Sequence, residues 1–306
     1  MPTSETNDFI TVIRSAGERT KEACAHITSQ EMPVSAVHII ELSPFEAALR
    51  KCYEIGIRSE KKWMITIDAD VLPRKGFVSE IAKLSEQADD NVIMFNAMIH
   101  DKLFMQYRTA GFKVYRTEYL GEALQAVPRD GEEVRPEAAT LNKMTEKGFR
   151  KKNFNYVVGL HDHQQYYRDI YRKAYFHSTK HIEKLFMIMP EWKEASKKDT
   201  DYLVALKGAV DGLISEADGV PDIRFFAEKA DKAVQSLNLS EKEAVDLNQT
   251  PSMIETAIEE AGPFLKSHEL KGIKREIESR GLLNGTLWSL ANIMEASGKK
   301  IKKMIE

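Results

Sequence analysis

Residues 61–77 read KKWMITIDADVLPRKGF, an apolar run that leads straight into two aspartates one residue apart, Asp68 and Asp70. A carboxylate at the mouth of a buried strand is costly unless it is paired, hydrated or metal-bound. Residues i and i+2 of an extended chain point to the same side, so both carboxylates can serve one divalent cation, directly or through water. Mg²⁺ and Mn²⁺ take oxygen ligands and commonly share them with substrate phosphates. The competing reading is a pair of solvated aspartates in a strand-to-loop turn. The position after WMITI and before VLP favours the cation.

Upstream of this stretch, FITVIR (9–14) and SAVHIIE (35–41) read as strands, and residues 17–30 and 43–56 as helices. Ser43 is the expected N-cap of the second helix, with Pro44 at its first position. Downstream come a helix at 77–88, strands at 91–99 and 110–116, a polar loop at 128–136, a helix at 137–148 stopped by Gly148, and a strand at 154–160. Short apolar strands alternating with amphipathic helices predict an α/β fold with a mostly parallel sheet covered on both faces. Residues 164–186 read as a helix dense in tyrosine and arginine. After Pro190 strand signals nearly vanish, and 201–217, 222–237, 252–281 and 285–306 carry helical periodicity. The expected division is a catalytic domain at 1–190 and an all-helical region at 191–306, placed on the acceptor side or at a subunit contact.

The chain has 306 residues, enough for one large domain or two ordinary ones. A net charge of −3 steers it to neither nucleic acid nor membrane. Cys24 and Cys52 form no metal-type pair and read as reduced, buried thiols of a cytosolic protein. No apolar run approaches the roughly 20 residues of a membrane span. A cytoplasmic protein is expected, with at most peripheral membrane contact.

The succession RSAGERT, HIIELSPFEAALRKCYEIGI, WMITIDADVLPRKGF and TAGFKVYRTEYL resembles the order of elements in GT-A fold glycosyltransferases, the family-two-like members of the nucleotide-diphospho-sugar transferase superfamily. The resemblance covers about residues 9–185. It implies a Rossmann-like sheet, a nucleoside diphosphate sugar as donor, a glycan, lipid-linked or protein acceptor, and Mn²⁺ or Mg²⁺ as cofactor. The metal would sit on Asp68 and Asp70 and bridge the donor's diphosphate. The family's paired glycine before the acceptor strand is Ala110-Gly111 here, and the acidic pair of many inverting members is absent.

The resemblance also distributes roles. Arg14, Gly17 and Arg19 belong to the loop after the first strand, where a glycine lets backbone approach a nucleotide closely. Glu41 ends the second strand, where the family contacts base or ribose; it can equally be an acid favoured by the next helix's dipole. Arg50 or Lys51 matches the family's basic position before the metal strand, or is a helical surface cation. In GLHDHQQYYRDIYRKAYF, His161 or His163 would be the third metal ligand. Asp162, pointing away from both in an extended chain, would be a catalytic base. Arg168, Arg172 and Lys173 would neutralise a diphosphate leaving group or an anionic acceptor. Glu137 is a second candidate base. His177 and His181 have a zinc-compatible i, i+4 spacing but no further ligand signature.

Two other readings stand beside this one. Aspartate-nucleophile phosphohydrolases also place D-x-D after an apolar strand, though usually on the first strand, and here two precede it. A non-catalytic sugar-nucleotide or glycan-binding scaffold is the second. The basic, apolar-faced C-terminal segment (281–306) suits packing on the protein, a homodimer contact or an anionic membrane surface.

Overall fold

The computed structural model describes residues 7–180, 182–215 and 223–262. The helical stretches read at 263–306 lie outside these residues.

Among the described residues eight strands form one sheet: β1 (Phe9–Ser15), β2 (Val37–Glu41), β3 (Trp63–Asp68), β4 (Val71–Pro73), β5 (Val92–Asp101), β6 (Gln106–Arg108), β7 (Phe112–Arg116) and β8 (Arg150–His161). Their order is β2-β1-β3-β7-β5-β8-β4, with β6 paired to β5. The pairings make β1, β2, β3, β5 and β8 run in one direction, while β4, β6 and β7 run against them. The α/β architecture with a predominantly one-way sheet is therefore present. The sequence reading missed β4 and β6, each three residues long and too short to show alternation.

The two-residue period of the strands builds two apolar layers. Phe9, Ile13, Trp63, Ile65, Ile67, Phe95 and Val114 pack on one face with Phe77, Val78 and Ile81 of α3 (Phe77–Ser85) and Cys24 of α1 (Lys21–Glu31). Ile10, Val12, Met64 and Tyr115 pack on the other with Leu49 and Tyr53 of α2 (Phe45–Arg58), Leu120 of α4 (Leu120–Ala126) and Leu141 of α5 (Pro136–Glu146). Every residue of β1 is buried, as expected of a strand covered on both sides. The second helix begins one residue later than expected. Pro44, not Ser43, precedes its first turn, in an extended conformation and without a side-chain cap.

Five further helices follow among the described residues: α6 (Tyr167–Lys180), α7 (Ile182–Ala195), α8 (Thr200–Ile214), α9 (Ile223–Ser236) and α10 (Thr250–Glu260). Tyr171, Ala174 and Tyr175 of α6 form a separate apolar cluster with Trp192, Val204, Ala205, Phe226 and Ala230. Helices α6 and α8 approach closely because α8 carries Gly208 and Gly212, where a Cβ would overlap the carbonyls of Tyr171 and Tyr175. Ile254 of α10 returns to the α/β part, packing with Ala23, Ile27, Leu72 and Leu160. Among the described residues no helix is long and apolar enough to cross a membrane.

Candidate functional site

The one-way strands place their carboxyl ends together, and that edge is where open α/β sheets hold ligands. Two ionic clusters occupy it, and Asp68 and Asp70 belong to different ones.

Asp68 is the register partner of Arg14 across the parallel pair β1–β3. It shares the face of Met64, which is the face of α2 and α5. There Arg14 Nε donates to Asp68 Oδ1 at 2.8 Å and Arg14 Nη1 to Glu137 Oε1 at 3.0 Å. Lys113 Nζ and Tyr115 Oη donate to the same Glu137 carboxylate at 2.6 and 2.7 Å. Burial alone would raise the Glu137 pKa, but Arg14, Lys113 and Tyr115 outweigh it and bring it down to about 2. Arg14 is buried and also lies over the Phe45 ring.

After Asp68 the chain changes partners. Strand β3 pairs with β1 and β7, whereas β4 pairs with the end of β8, setting Val71 opposite His161. Asp70 therefore stands beside His161 and Asp162, whose backbone N–H donates to the Asp70 carbonyl at 3.1 Å. Gly111 makes room for this arrangement. It has φ +61°, and a Cβ there would lie 2.6 Å from Val71 Cγ2 and 3.2 Å from the His161 ring.

In this second cluster His161 Nε2 faces Asp70 Oδ1 at 3.5 Å, and Nδ1 lies 2.9 Å from Asp101 Oδ2 and 3.2 Å from Asp162 Oδ2. Lys173 Nζ bridges Asp70 Oδ2, at 2.5 Å, and Asp162 Oδ1. Arg108 Nε donates to the same Asp101 oxygen at 2.6 Å. Burial disfavours a charged His161, but Asp162, Asp70 and Asp101 together raise its pKa well above the imidazole range. Burial also opposes charge on Asp162, and His161 and Lys173 hold it well below the carboxylate range regardless.

Asp70, His161 and Asp162 each offer a ligand atom within 4.8 Å of the others, all three buried. Asp70 Oδ1 is buried with no hydrogen-bond partner. It faces His161 Nε2 at 3.5 Å, and the two carboxylates with His161 in its neutral form are a donor set that fits a divalent metal.

The sequence expectations map onto this geometry unevenly. Asp70 and His161 come together, joined by Asp162 rather than by Asp68 or His163. Asp162 does not point away from His161, because the chain is not extended there: φ is +62°, a left-handed conformation that aspartate tolerates. His163 faces His100 at 3.3 Å, and burial with Lys102 and His100 nearby lowers its pKa to about 3. Gly17 has φ +94° and open space where a side chain would stand. Arg19 donates to the backbone of Glu243 and Gln164. Glu41 is exposed and pairs with Lys21 at 2.7 Å. Arg50 caps the carbonyls of Val127 and Pro128, while Lys51 is a surface cation 3.8 Å from Glu54. Arg168 stacks on Tyr166. His177 packs on Phe104, and His181 lies outside the described residues.

Sequence reasoning missed Asp101 and Glu18. Asp101 ends β5 at the same edge, and the apolar run ending at Ile99 hid it. Glu18 caps its own loop, accepting from Ser15 Oγ and the Ala16 N–H, and burial and then the nearby Asp70 raise its pKa.

No known family's sequence profile matches the chain, and no curated protein does. Several solved structures overlap about half of it. A glycosyltransferase involved in the glycosylation of the major capsid of PBCV-1 is 13% identical, over 48% of this chain and 82% of that one, at TM-score 0.33. A cytidylyltransferase from Leptospira borgpetersenii serovar Hardjo-bovis is 8% identical, over 48% and 76%, at 0.35. A CMP:2-keto-3-deoxy-manno-octonic acid synthetase complexed with CTP is 11% identical, over 49% and 90%, at 0.32. Scores this low leave activity to be argued from the chain's own residues.

Proposed function

We propose that the protein is a metal-dependent glycosyltransferase that moves a sugar from a nucleoside diphosphate sugar to an acceptor hydroxyl. The observation that carries this reading is the buried Asp70–His161–Asp162 group, with an Asp70 oxygen that accepts no hydrogen bond, at the edge of the sheet where ligands bind. These three residues would hold the cation. One imidazole beside two carboxylates suits Mn²⁺ better than the strictly oxygen-preferring Mg²⁺. When bound, the ion would offset negative charge on the departing diphosphate.

The chain's own groups would do the rest. Asp101 bonds His161 Nδ1 and so turns Nε2 toward Asp70, the usual way a carboxylate orients a metal-binding histidine. Lys173 adds a second positive charge beside the cluster. The open turn at Gly17, just beyond β1, leaves backbone accessible to the nucleotide. Arg14, Asp68 and Glu137 act as the rigid floor rather than as contacts. Glu137, with a pKa near 2, is a poor proton acceptor and has no role as base in this reading. The helices from α6 onward would shape the acceptor side.

A thermal-shift panel of nucleoside diphosphate sugars, each with and without Mn²⁺, tests the reading, because a ligand that binds the native state raises its apparent stability. At least one donor should stabilise the protein only with Mn²⁺, and Asp70→Ala should abolish that gain while remaining folded. Equal stabilisation with and without metal, or in Asp70→Ala, would reject it. Metal-dependent binding without release of a nucleoside diphosphate to any acceptor would favour a binding scaffold.

A further inference from the structure

The loop that follows β1 carries a carboxylate, Glu18, that neither ionic cluster uses. Both ends of this loop are tied to Ala69, the residue between Asp68 and Asp70. The Ala69 N–H donates to the Arg14 carbonyl at 2.8 Å, and Thr20 Oγ1 donates to the Ala69 carbonyl at 2.5 Å. The same loop is tied to the chain just beyond Asp162. Arg19 Nη1 donates to the Gln164 carbonyl at 2.9 Å, and Gln165 Nε2 donates to Thr20 Oγ1 at 2.8 Å. Glu18 stands between these ties and is thereby held beside the Asp70–His161–Asp162 group.

One oxygen of Glu18 is engaged and the other is not. Oε2 accepts from Ser15 Oγ at 2.9 Å and from the Ala16 N–H at 2.7 Å, while Oε1 has no partner among the described residues. Asp68, Glu137, Asp70, Asp101 and Asp162 each pair with a lysine or arginine. Glu18 pairs with none among the described residues, although it is half-buried and feels the charge of Asp70. Two carboxylates so placed repel, and a cation between them relieves the repulsion. The buried Asp70 Oδ1, which accepts no hydrogen bond, is the second sign that this place lacks positive charge. Small divalent cations keep several bound waters, and carboxylates beyond ligand distance fix the ligands from outside. Glu18 lies outside the three ligand atoms gathered within 4.8 Å of one another, which suits that outer position.

We propose that Glu18 is a fourth protein group of the metal site, accepting through Oε1 a hydrogen bond from a water molecule on the divalent cation. The proposal rests on the metal reading of Asp70, His161 and Asp162. It gives the ion a hold on the turn at Gly17 as well as on the strand ends.

The rival role for Glu18 is a brace for its own loop. Glutamine separates the two, because its amide oxygen can still accept from Ser15 and Ala16 but carries no charge. The test is calorimetric titration of the full chain with Mn²⁺ alone, at neutral pH, joined to thermal melts in EDTA and in Mn²⁺. Glu18→Gln should weaken Mn²⁺ about tenfold or more, the scale of losing a group that holds a metal ligand in place. Asp70→Ala should abolish binding. Ser15→Ala, which loosens the brace and keeps the carboxylate, should bind within about threefold of the parent chain. In EDTA, Glu18→Gln should melt no lower than the parent, since it removes the repulsion from Asp70. In Mn²⁺ it should melt lower, because less of the native state is held by the ion.

The proposal is overturned if Glu18→Gln binds Mn²⁺ as tightly as the parent, or if Ser15→Ala loses as much as Glu18→Gln. It is also overturned if Glu18→Gln melts as far below the parent in EDTA as in Mn²⁺. In each of these cases loss of Mn²⁺ binding in Asp70→Ala keeps the metal reading intact. A parent chain that binds no Mn²⁺ overturns both.

Discussion

Asp68 and Asp70 are two residues apart, yet they sit in ionic clusters of opposite character. Around Asp68, Arg14, Lys113 and Tyr115 are matched to two carboxylates, and the groups satisfy one another. Around Asp70, two cationic groups, His161 and Lys173, serve Asp70 and Asp162, and one buried Asp70 oxygen accepts no hydrogen bond. A closed cluster of this kind fixes the ends of β1, β3 and β7 and the start of α5. The other, in the reading proposed above, is where a cation would bind. The comparison teaches that burial and charge do not by themselves mark a candidate site; unmet hydrogen-bonding capacity beside grouped ligand atoms is the better pointer.

The largest expected effect comes from opening the closed cluster. Arg14→Met leaves Asp68 and Glu137 without their shared guanidinium, and breaking a buried pair this way costs about 3–5 kcal/mol. Urea denaturation should show that loss, and added Mn²⁺ should not restore it. A loss below about 1 kcal/mol would show that Arg14 does not hold this cluster together.

Acid should attack the same cluster next. The folded-state pKa of Glu137 is about 2 against an ordinary 4.5, so its contribution is fully present above pH 4.5 and is lost as pH falls from there to about 2. At 1.36 kcal/mol per unit the amount is about 3 kcal/mol. Glu137→Gln should flatten stability over that window relative to the parent chain. An unchanged slope would place the acid sensitivity elsewhere.

A smaller effect, reversible by metal, is expected from the open cluster. Lys173→Met removes one of the two cationic partners of Asp70 and Asp162 while His161 remains. The metal-free protein should lose about 2 kcal/mol, the scale of a buried acceptor left unsatisfied. Mn²⁺ should restore most of it, because the ion replaces the missing charge. Failure of Mn²⁺ to rescue this variant any better than Arg14→Met would erase the distinction between the clusters.

The smallest effect should come from Lys51→Ala. Its pairing with Glu54 is an exposed i, i+3 contact at 3.8 Å, worth about 0.5 kcal/mol or less. Neither stability nor Mn²⁺-dependent nucleotide binding should change measurably. A tenfold loss of nucleotide affinity would return Lys51 to the ligand.

Much of the fold was legible because its long strands are covered on both faces and so read as unbroken apolar runs, as in FITVIR and WMITI. The short strands β4 and β6 left no such trace. At the site, Asp70 and His161 could be singled out from strand ends. Asp162 could not be given its direction, because the left-handed turn at that residue is invisible in composition. Arg50 and Glu41, expected near the nucleotide from residue type and position, have partners within the chain that the sequence did not indicate: backbone carbonyls for Arg50 and a lysine for Glu41.

The sequence by itself determined that an α/β sheet would present carboxylates at its strand ends, because apolar periodicity and the cost of burying charge are local properties. Only the tertiary structure decided which carboxylates share a cation. Asp68 goes to Arg14 because β1 and β3 are in register there, and Asp70 goes to His161 because the chain leaves β3 and pairs anew with β8. Those partners are 54 and 91 residues away along the chain. Strand pairing over such distances depends on how the whole sheet closes, which no window of neighbouring residues encodes.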